Sequence, residues 1–242
     1  MKKIAFYVEG QTEQFFINKL LIEIAGQKNI EIELQQFQGI GRKAKSDIYP
    51  KTTSNAINPN HHALIFDCMG DGGVKPRILD DYQRLFSQGY SEVIGLLDLY
   101  PKENSDLNKF ENELLNGRIS KNGRVVTQPL PTNTKIVVAV KEVESWFLAE
   151  CTHFQEIDNN LTISHIESNL GFNPCVDDMT QRFHPADDLK KIYQLVGKTY
   201  NKSENNVQRT VECLDYANIY LNLPAKITKL NELISKIDAF LV

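Results

Sequence analysis

The sequence predicts an α/β protein with a largely parallel, buried sheet followed by a helical C-terminal region. Short apolar runs, typical of strands covered on both faces, alternate with amphipathic helical patterns along the first part of the chain. After about residue 151 helical patterns dominate and no further apolar strand is expected. We therefore predict an α/β domain at residues 1–150 and a smaller helical region at residues 151–242 packed on it.

The first elements are a buried strand and a helix. Residues 3–8, KIAFYV, form an almost continuous apolar run, and after Gly10 apolar residues return at helical spacing, with Thr12 as the expected cap. The sequence IEIELQQF alternates apolar and polar residues, which predicts a strand with one wetter face. The polar residues 39–60 that follow predict a short helix and a loop.

Three further strands follow. HHALIF predicts a buried strand that ends at Asp67, before a glycine-rich turn and an amphipathic helix, VKPRILDDYQRLFSQGY. SEVIGLLDLYP predicts a strand that carries Asp98 near its end, and KIVVAV, residues 135–140, predicts another that leads into a helix start at KEVESWFLAE. DDLKKIYQLV, NNVQRTVECLDYANIYL and AKITKLNELISKIDAFLV supply the helical patterns of the C-terminal region.

Composition excludes several classes of protein. The formal net charge of −4 argues against a generally basic nucleic-acid coat, although a local basic patch is compatible with it. Four widely spaced cysteines without a CxxC pair predict neither a zinc site nor a disulfide framework, which favours a reducing cytoplasm. The apolar run before Glu9 is too short for a signal peptide, and we expect no membrane span and no membrane partner.

Carboxylates follow three of the predicted strands. Glu9, Asp67 and Asp98 each come at or directly after an apolar run, and the carboxyl ends of parallel strands meet at one edge of a sheet. Converging acids repel unless a cation neutralises them, and ligation by oxygen alone suits Mg²⁺ or Mn²⁺. The alternative is that each acid is a cap or turn residue, which is the commoner role of a single acid at a strand end.

These motifs resemble toprim domains, which occur in topoisomerases, primases and the overcoming-lysogenization-defect nucleases. The chain resembles more closely a bacterial family of toprim-like proteins of unassigned function, often encoded near phage-defence and restriction genes. The likeness rests on VEGQTE, LLDLYP, EVESWFLAE and HPADDLKKIY, and so extends over most of the chain. It implies a toprim-like, Rossmann-like sheet sandwiched by helices.

The resemblance also implies site residues. Glu9 matches the toprim glutamate, a metal ligand or general acid/base, and Asp98 matches the first aspartate of the toprim Asp-x-Asp motif. Tyr100 stands at the second aspartate, so either Asp67, Asp71 or Glu144 supplies the missing ligand or the metal site is degenerate. Since consecutive strand–helix–strand units are usually adjacent, we expect the strand before Asp67 to neighbour the Asp98 strand. We therefore rank Asp67 and Asp71 above Glu142 as additional ligands.

Two other stretches are candidates for contacts with nucleic acid or phosphate. DCMGDGGVK lies between a strand and a helix, where backbone N–H groups can hold a phosphate, although a tight turn explains the glycines equally well. GIGRKAKS carries three cations, and a solvated loop is the alternative role there. The candidate residues are Gly10, Arg42, Lys43, Lys45, Gly72, Gly73 and Lys75.

We predict from these features a Mg²⁺- or Mn²⁺-dependent nuclease-like or phosphotransfer enzyme that acts on nucleic acid, with Glu9 and Asp98 as catalytic residues. The resemblance adds phage defence as its setting. One alternative is a non-catalytic protein of the same fold that binds nucleic acid or nucleotide, or that partners a separate ATPase, since the chain has no Walker motif. The other is a hydrolase of small phosphoesters.

Overall fold

A computed structural model describes residues 1–26, 28–38, 47–53, 56–121 and 124–242 of the protein. Within the described residues up to residue 140, groups of one to three strands alternate with helices. The strands within the described residues are β1 (Lys2–Val8), β2 (Ile30–Gln38), β3 (Asp47–Thr53), β4 (His61–Asp67), β5 (Tyr90–Asp98), β6 (Arg118–Lys121), β7 (Arg124–Thr127) and β8 (Thr134–Ala139).

The helices are shorter and more numerous towards the C-terminus. Those within the described residues are α1 (Gln11–Ala25), α2 (Asp71–Ser87), α3 (Leu107–Asn116), α4 (Glu144–Ala149), α5 (His153–Ile157), α6 (Ile163–Leu170), α7 (Pro185–Gln194), α8 (Glu204–Cys213), α9 (Tyr216–Leu221) and α10 (Thr228–Leu241). Three single 3₁₀ turns lie between them, at residues 104–106, 179–181 and 223–225.

The main sheet has the strand order β3-β2-β4-β1-β5-β8. Strand β4 pairs in parallel with both β2 and β1, and β1 pairs in parallel with β5. The N–H of Val93 donates to the carbonyl of Asn133, and the N–H of Leu99 donates to the carbonyl of Ala139, so β5 and β8 also run in the same direction. The predicted α/β class with a mostly parallel sheet and a helical C-terminus is therefore confirmed.

The sheet corrects two predictions made from the sequence. Strand β1 lies between β4 and β5, so the strand that ends at Asp67 does not neighbour the strand that ends at Asp98. Two strands joined by one helix are neighbours only when the connection does not cross an earlier strand. Here the connection from β4 to β5 crosses β1. Residues 47–53 form β3, antiparallel to β2, rather than a helix or loop, since the pairing edge of β2 is available to a polar strand.

Other local differences arise from signals that are weak in the sequence. The cap of α1 is Gly10 rather than Thr12, which lies buried in the first turn. Helix α3 and the hairpin of β6 and β7 were not predicted. The single predicted helix NNVQRTVECLDYANIYL divides into α8 and α9, because the Asp215 carboxylate accepts the backbone N–H groups of Ala217 and Asn218 and begins a new helix.

The chain divides into two compact units at positions other than residue 150. The first unit comprises residues 1–97, 106–138 and 236–242, and its core is the sheet, whose residues Ile4, Phe6 and Ile65 are fully buried. The second unit comprises residues 98–105 and 139–235. Its core is helical and includes the buried side chains of Trp146 and Phe154.

The second unit contains one disulfide bond, between Cys151 and Cys175. The prediction of no disulfide is wrong at this pair, because the sequence separation of 24 residues does not reveal that the fold places the two Cα atoms 5.4 Å apart. The cytoplasmic location stays a prediction. None of the helices within the described ranges is both long and apolar enough to span a bilayer.

Candidate metal centre

Three buried carboxylates converge in the second unit. Asp98, Glu142 and Glu144 each place an oxygen within 4.8 Å of an oxygen of the other two. Asp98 and Glu142 are each 7% exposed, and Glu144 is completely buried. Among the described residues, this is the group of acidic, histidine and cysteine side chains whose ligand atoms lie close enough together to hold one metal ion, and it is called here the acid triad.

The ends of β5 and β8 position Asp98. The backbone N–H of Tyr100 donates to the carbonyl of Lys141 at 2.8 Å, which holds the two chain segments side by side beyond the strands. Oδ1 of Asp98 accepts the backbone N–H of Val143 at 2.9 Å. Lys141 has φ of +64°, a conformation that costs a non-glycine residue about 1 kcal/mol or more. This strained residue directly precedes Glu142.

Glu142 is oriented by helix α7. Its Oε2 atom accepts the backbone N–H of Ala186, in the first turn of that helix, at 3.0 Å. An anion at a helix N-terminus is stabilised by the unpaired N–H groups and by the helix dipole. Oε1 of Glu142 faces the ammonium of Lys202 at 3.4 Å. These two contacts hold both carboxylate oxygens of Glu142 in place.

Glu144 begins α4 and is the least satisfied member of the acid triad. Oε1 accepts the hydroxyl of Tyr200 at 2.9 Å and lies 3.4 Å from Nζ of Lys202. Oε2 is buried and has no hydrogen-bond partner among the described residues. Burial raises the pKa of Glu144, Lys202 opposes this increase, and the neighbouring charge of Glu142 adds to it, so that the pKa lies above its ordinary value.

The chemistry of the acid triad suits a hard divalent cation. Three carboxylates provide oxygen ligands alone, the donor set that Mg²⁺ and Mn²⁺ prefer, and the cluster contains no thiol or imidazole of the kind that zinc favours. A buried carboxylate oxygen without a hydrogen bond is costly, and a cation would satisfy it. The residues present therefore fit a Mg²⁺ or Mn²⁺ ion.

Comparison with known families places the chain in a group without an assigned activity. The family DUF4276, described as a domain of unknown function, matches residues 8–220. The chain belongs to the DUF4276 family. A search of curated proteins finds no match. The crystal structure of a hypothetical protein from Pyrococcus horikoshii OT3 is similar over 100% of both chains, with 15% sequence identity and a TM-score of 0.45.

The DUF4276 match includes all three acids of the triad, together with Tyr200 and Lys202. The family description names neither an activity nor the toprim domain, so the toprim resemblance stays a prediction for this DUF4276 protein. Two of the predicted ligands, Asp98 and Glu144, are brought together by the structure. Glu142, which the sequence ranks lower, is the third.

Glu9 and Gly10 lie at the junction between β1 and α1, in the first unit. The carbonyl of Glu9 accepts the N–H of Gly70, and the N–H of Gly10 donates to the carboxylate of Glu13 at 2.9 Å. The acid that caps α1 is therefore Glu13, and Glu9 is not needed for that role. Glu9 as a ligand or proton acceptor, and Gly10 as a phosphate contact, stay predictions.

Asp67 is engaged in a local turn. Its Oδ1 atom accepts the N–H of Met69 at 2.8 Å, its Oδ2 atom accepts the side-chain amide of Gln36 at 3.2 Å, and the residue is fully buried. This pattern is the one in which an aspartate side chain stabilises a turn. Asp71 begins α2, and its side chain lies outside the part of the chain that the structure describes. The ranking of Asp67 and Asp71 above Glu142 gains no support.

The glycine-rich turn before α2 has a steric explanation. Gly70 has φ of +128°, which side chains rarely permit, and a Cβ atom at Gly73 would lie 2.6 Å from the carbonyl oxygen of Cys68. Gly72 has open space around it and carries no such constraint. The turn requires two of its glycines whether or not it binds phosphate, and phosphate binding there stays a prediction.

Of the four basic residues predicted to contact phosphate, Lys75 lies within the described residues. Nζ of Lys75 donates to the carbonyls of Gly117 at 3.1 Å and Glu113 at 3.4 Å, at the C-terminal end of α3, and burial lowers its pKa. The ammonium is thus occupied by backbone carbonyls, as expected of a lysine at the end of a helix. Arg42, Lys43 and Lys45 lie outside the described residues.

Sequence reasoning missed Tyr200 and Lys202. They reach the acid triad from the segment between α7 and α8, about 60 residues beyond Glu142, and no pattern in TYNKSE marks them. Glu142 did carry a signal. In KEVES the two glutamates are separated by one residue immediately after a buried strand, so both can face the same side of an extended segment.

Proposed function

We propose that the protein is a divalent-cation-dependent phosphoesterase, in which Asp98, Glu142 and Glu144 bind Mg²⁺ or Mn²⁺ and the substrate is a phosphodiester of nucleic acid. The observation that carries the proposal is Oε2 of Glu144, a completely buried carboxylate oxygen that has no hydrogen-bond partner within the described part of the chain and lies in a group of three acids. A helix cap or a surface ion pair would not place an acid in this situation.

The charge balance supports a cation. Within the acid triad three carboxylates lie within 4.8 Å of one another, and the nearby Lys202 contributes one positive charge from a side chain that is 51% exposed. One half-exposed ammonium does not offset three buried carboxylates. A divalent ion would supply the remaining charge and would release Lys202 to contact an incoming phosphate.

The chain's own residues would prepare such a site. The N–H of Val143 orients Asp98, the N–H of Ala186 orients Glu142, and the hydroxyl of Tyr200 orients Glu144. These donors hold the three carboxylates in fixed orientations, which is how partners outside the first ligand shell prepare a metal site. When bound, the cation would polarise a phosphoryl oxygen and lower the pKa of a nucleophilic water molecule.

The finer parts of the proposal derive from the toprim resemblance. It supports Glu9 as the group that accepts a proton, nucleic acid as the substrate and phage defence as the setting, with a separate ATPase as a partner. In that case the missing second aspartate at Tyr100 is replaced by Glu142 and Glu144. These assignments are independent of the cation site, so evidence against them would not count against the cation site.

A second candidate function is a non-catalytic protein of the same fold. Lys202 lies 3.4 Å from carboxylate oxygens of both Glu142 and Glu144, and the raised pKa of Glu144 favours a bound proton. An ammonium and a proton together could neutralise the acids in the absence of a metal. The two candidates differ in whether Mn²⁺ binds at all.

The test is Mn²⁺ binding by titration calorimetry, together with Mg²⁺- and Mn²⁺-dependent cleavage of single- and double-stranded DNA and RNA and of bis-p-nitrophenyl phosphate. We expect one Mn²⁺ to bind to the wild type, and Asp98→Asn and Glu142→Gln to weaken the binding at least about tenfold and to lower the cleavage rate about 10²-fold or more. Glu9→Gln should lower the rate by a similar factor if Glu9 accepts a proton.

Glu156→Gln is the matched control, because Glu156 is an exposed acid of the same unit. It should bind Mn²⁺ and cleave as the wild type does. Absence of Mn²⁺ binding by the wild type would exclude the metal centre and favour the non-catalytic protein. Cleavage of the small phosphodiester without cleavage of any polymer would restrict the substrate to small phosphoesters.

A further inference from the structure

Three aromatic rings form a cluster in the second unit. The ring centroids of Tyr100 and His184 are 4.7 Å apart, those of Phe183 and His184 are 4.5 Å apart, and those of Tyr100 and Phe183 are 6.4 Å apart. Phe183 meets both neighbours edge to face, at interplanar angles of 82°. Tyr100, Phe183 and His184 are called here the aromatic cluster. Their contacts restrict the orientation of the Phe183 ring.

The Phe183 ring is held from one side and open on the other. Its side chain is 57% exposed, although a phenylalanine is ordinarily buried. The ammonium of Lys141 lies 5.3 Å from its centroid. That ammonium is itself fixed, since Lys141 is only 4% exposed and donates to the carbonyl of Lys102 and the carboxylate of Glu103, both at 3.1 Å. A cation–π contact therefore supports an exposed, oriented ring.

The aromatic cluster shares chain segments with the acid triad. Tyr100 follows Asp98 by two residues, and its N–H donates to Lys141, the residue before Glu142. His184 precedes α7, and Ala186, two residues later, donates to the carboxylate of Glu142. The same short segments thus carry both the carboxylates and the rings.

We propose that the aromatic cluster, through the open face of Phe183, stacks a base of single-stranded nucleic acid whose phosphate is at the acid triad. This proposal rests on the proposed function, from which it takes the phosphate, and it names the substrate class. A planar base is the group that an oriented aromatic ring next to a phosphate site recognises, and such stacking does not depend on sequence. An exposed ring suits a polymer, whose other contacts add affinity, better than a free nucleotide, which would need an enclosed pocket.

The experiment measures fluorescence anisotropy of a labelled single-stranded 12-nucleotide DNA or RNA and of an abasic backbone of the same length, with Mn²⁺ present. Wild type should bind the base-bearing strand more tightly. Phe183→Ala should weaken that binding about 5- to 100-fold and leave binding of the abasic backbone unchanged. Phe183→Trp, which retains an aromatic face, should retain the preference for bases.

Phe86→Ala provides the matched control, because Phe86 is 62% exposed and also contacts one aromatic ring, that of Tyr82. It should bind both strands as the wild type does. Equal binding of the two strands by wild type, or equal effects of the two alanine variants, would overturn the proposal. Competition by a free nucleoside monophosphate as effective as that by the strand would also overturn it.

Mn²⁺ calorimetry on the same variants separates the two proposals. Normal Mn²⁺ binding by Phe183→Ala, together with its lost preference for bases, supports base stacking next to an intact metal centre. Mn²⁺ binding by a wild type that does not distinguish bases from abasic backbone would overturn the stacking and retain the metal centre. A preference for bases that depends on Phe183 in a protein that binds no Mn²⁺ would support the stacking surface and exclude the metal centre.

Discussion

Glu144→Gln is the substitution that tests the acid triad most directly, because it should stabilise the metal-free protein and abolish metal binding. Glutamine keeps the length of the side chain and retains a carbonyl oxygen that can accept the hydroxyl of Tyr200. Its amide group can donate to a neighbouring carboxylate from the position of Oε2, which has no hydrogen-bond partner among the residues that the structure describes. The change removes one buried negative charge.

The magnitude follows from the distances in the acid triad. Two like charges 4.8 Å apart repel by about 3.5 kcal/mol at an effective dielectric constant of about 20. Lys202 opposes this, but as a half-exposed partner it contributes only about 1 kcal/mol. Protonation of Glu144 would relieve this repulsion, and protonating a carboxyl group of ordinary pKa at pH 7 costs about 3.7 kcal/mol. The repulsion therefore cannot destabilise the protein by more than about that amount. We expect Glu144→Gln to stabilise the metal-free protein by about 1–3 kcal/mol, which raises Tm by about 2–10 °C.

The pH dependence has a definite sign. The folded protein holds the Glu144 proton more tightly than the unfolded chain does, because the folded pKa is raised. The stability contribution of this group is therefore fully present below the unfolded pKa and is lost as the pH rises through the folded pKa. The difference in Tm between Glu144→Gln and wild type should be largest near pH 7 and should vanish towards about pH 4.

The assay is thermal unfolding in EDTA and in Mn²⁺ at several pH values. At a concentration of 100 times Kd, Mn²⁺ should stabilise the wild type by about 2.7 kcal/mol and leave Glu144→Gln unchanged. Glu150→Gln is the control. Glu150 is also fully buried, and burial raises its pKa. Contacts with His153, Thr152 and Asn218 outweigh burial and lower the pKa of Glu150 below its ordinary value. Removing the Glu150 charge should therefore destabilise the protein. A lower Tm for Glu144→Gln in EDTA at pH 7 would refute the reasoning, as would an equal Mn²⁺ effect in both proteins.

Two other predictions concern the same unit. Lys202→Met removes the ammonium that lies 3.4 Å from Glu142 and Glu144. Mn²⁺ affinity measured by calorimetry should increase about 3- to 10-fold, and Tm in EDTA should fall. Unchanged affinity would show that Lys202 does not compete with the ion. Reduction of the Cys151–Cys175 bond, which closes a loop of 24 residues, should lower stability by about 3.5 kcal/mol, seen as a lower Tm in dithiothreitol. A Cys151→Ser, Cys175→Ser variant should give the same Tm with and without the reductant, and a wild-type Tm that does not respond to the reductant would contradict this prediction.

Much of the first unit could be predicted from local patterns. KIAFYV, HHALIF and VIGLL are apolar on both faces, and only a sheet covered by helices buries such strands completely, so the α/β class follows from composition and spacing. Residues 47–53 show the limit of this reasoning. They are polar, and they are a strand because β2 offers them a pairing edge, which no local pattern reveals.

The sequence by itself determined the alternation of strands and helices and the presence of acids at strand ends, because both depend on neighbouring residues along the chain. Only the tertiary structure decided which acids meet. The insertion of β1 between β4 and β5 separates the strand of Asp67 from that of Asp98, whereas β8 continues beside β5 and brings Glu142 and Glu144 to Asp98. Tyr200 and Lys202 join them from a later segment. Strand order and long-range packing depend on contacts between residues far apart in the chain, and the spacing of residue types along the sequence does not record them.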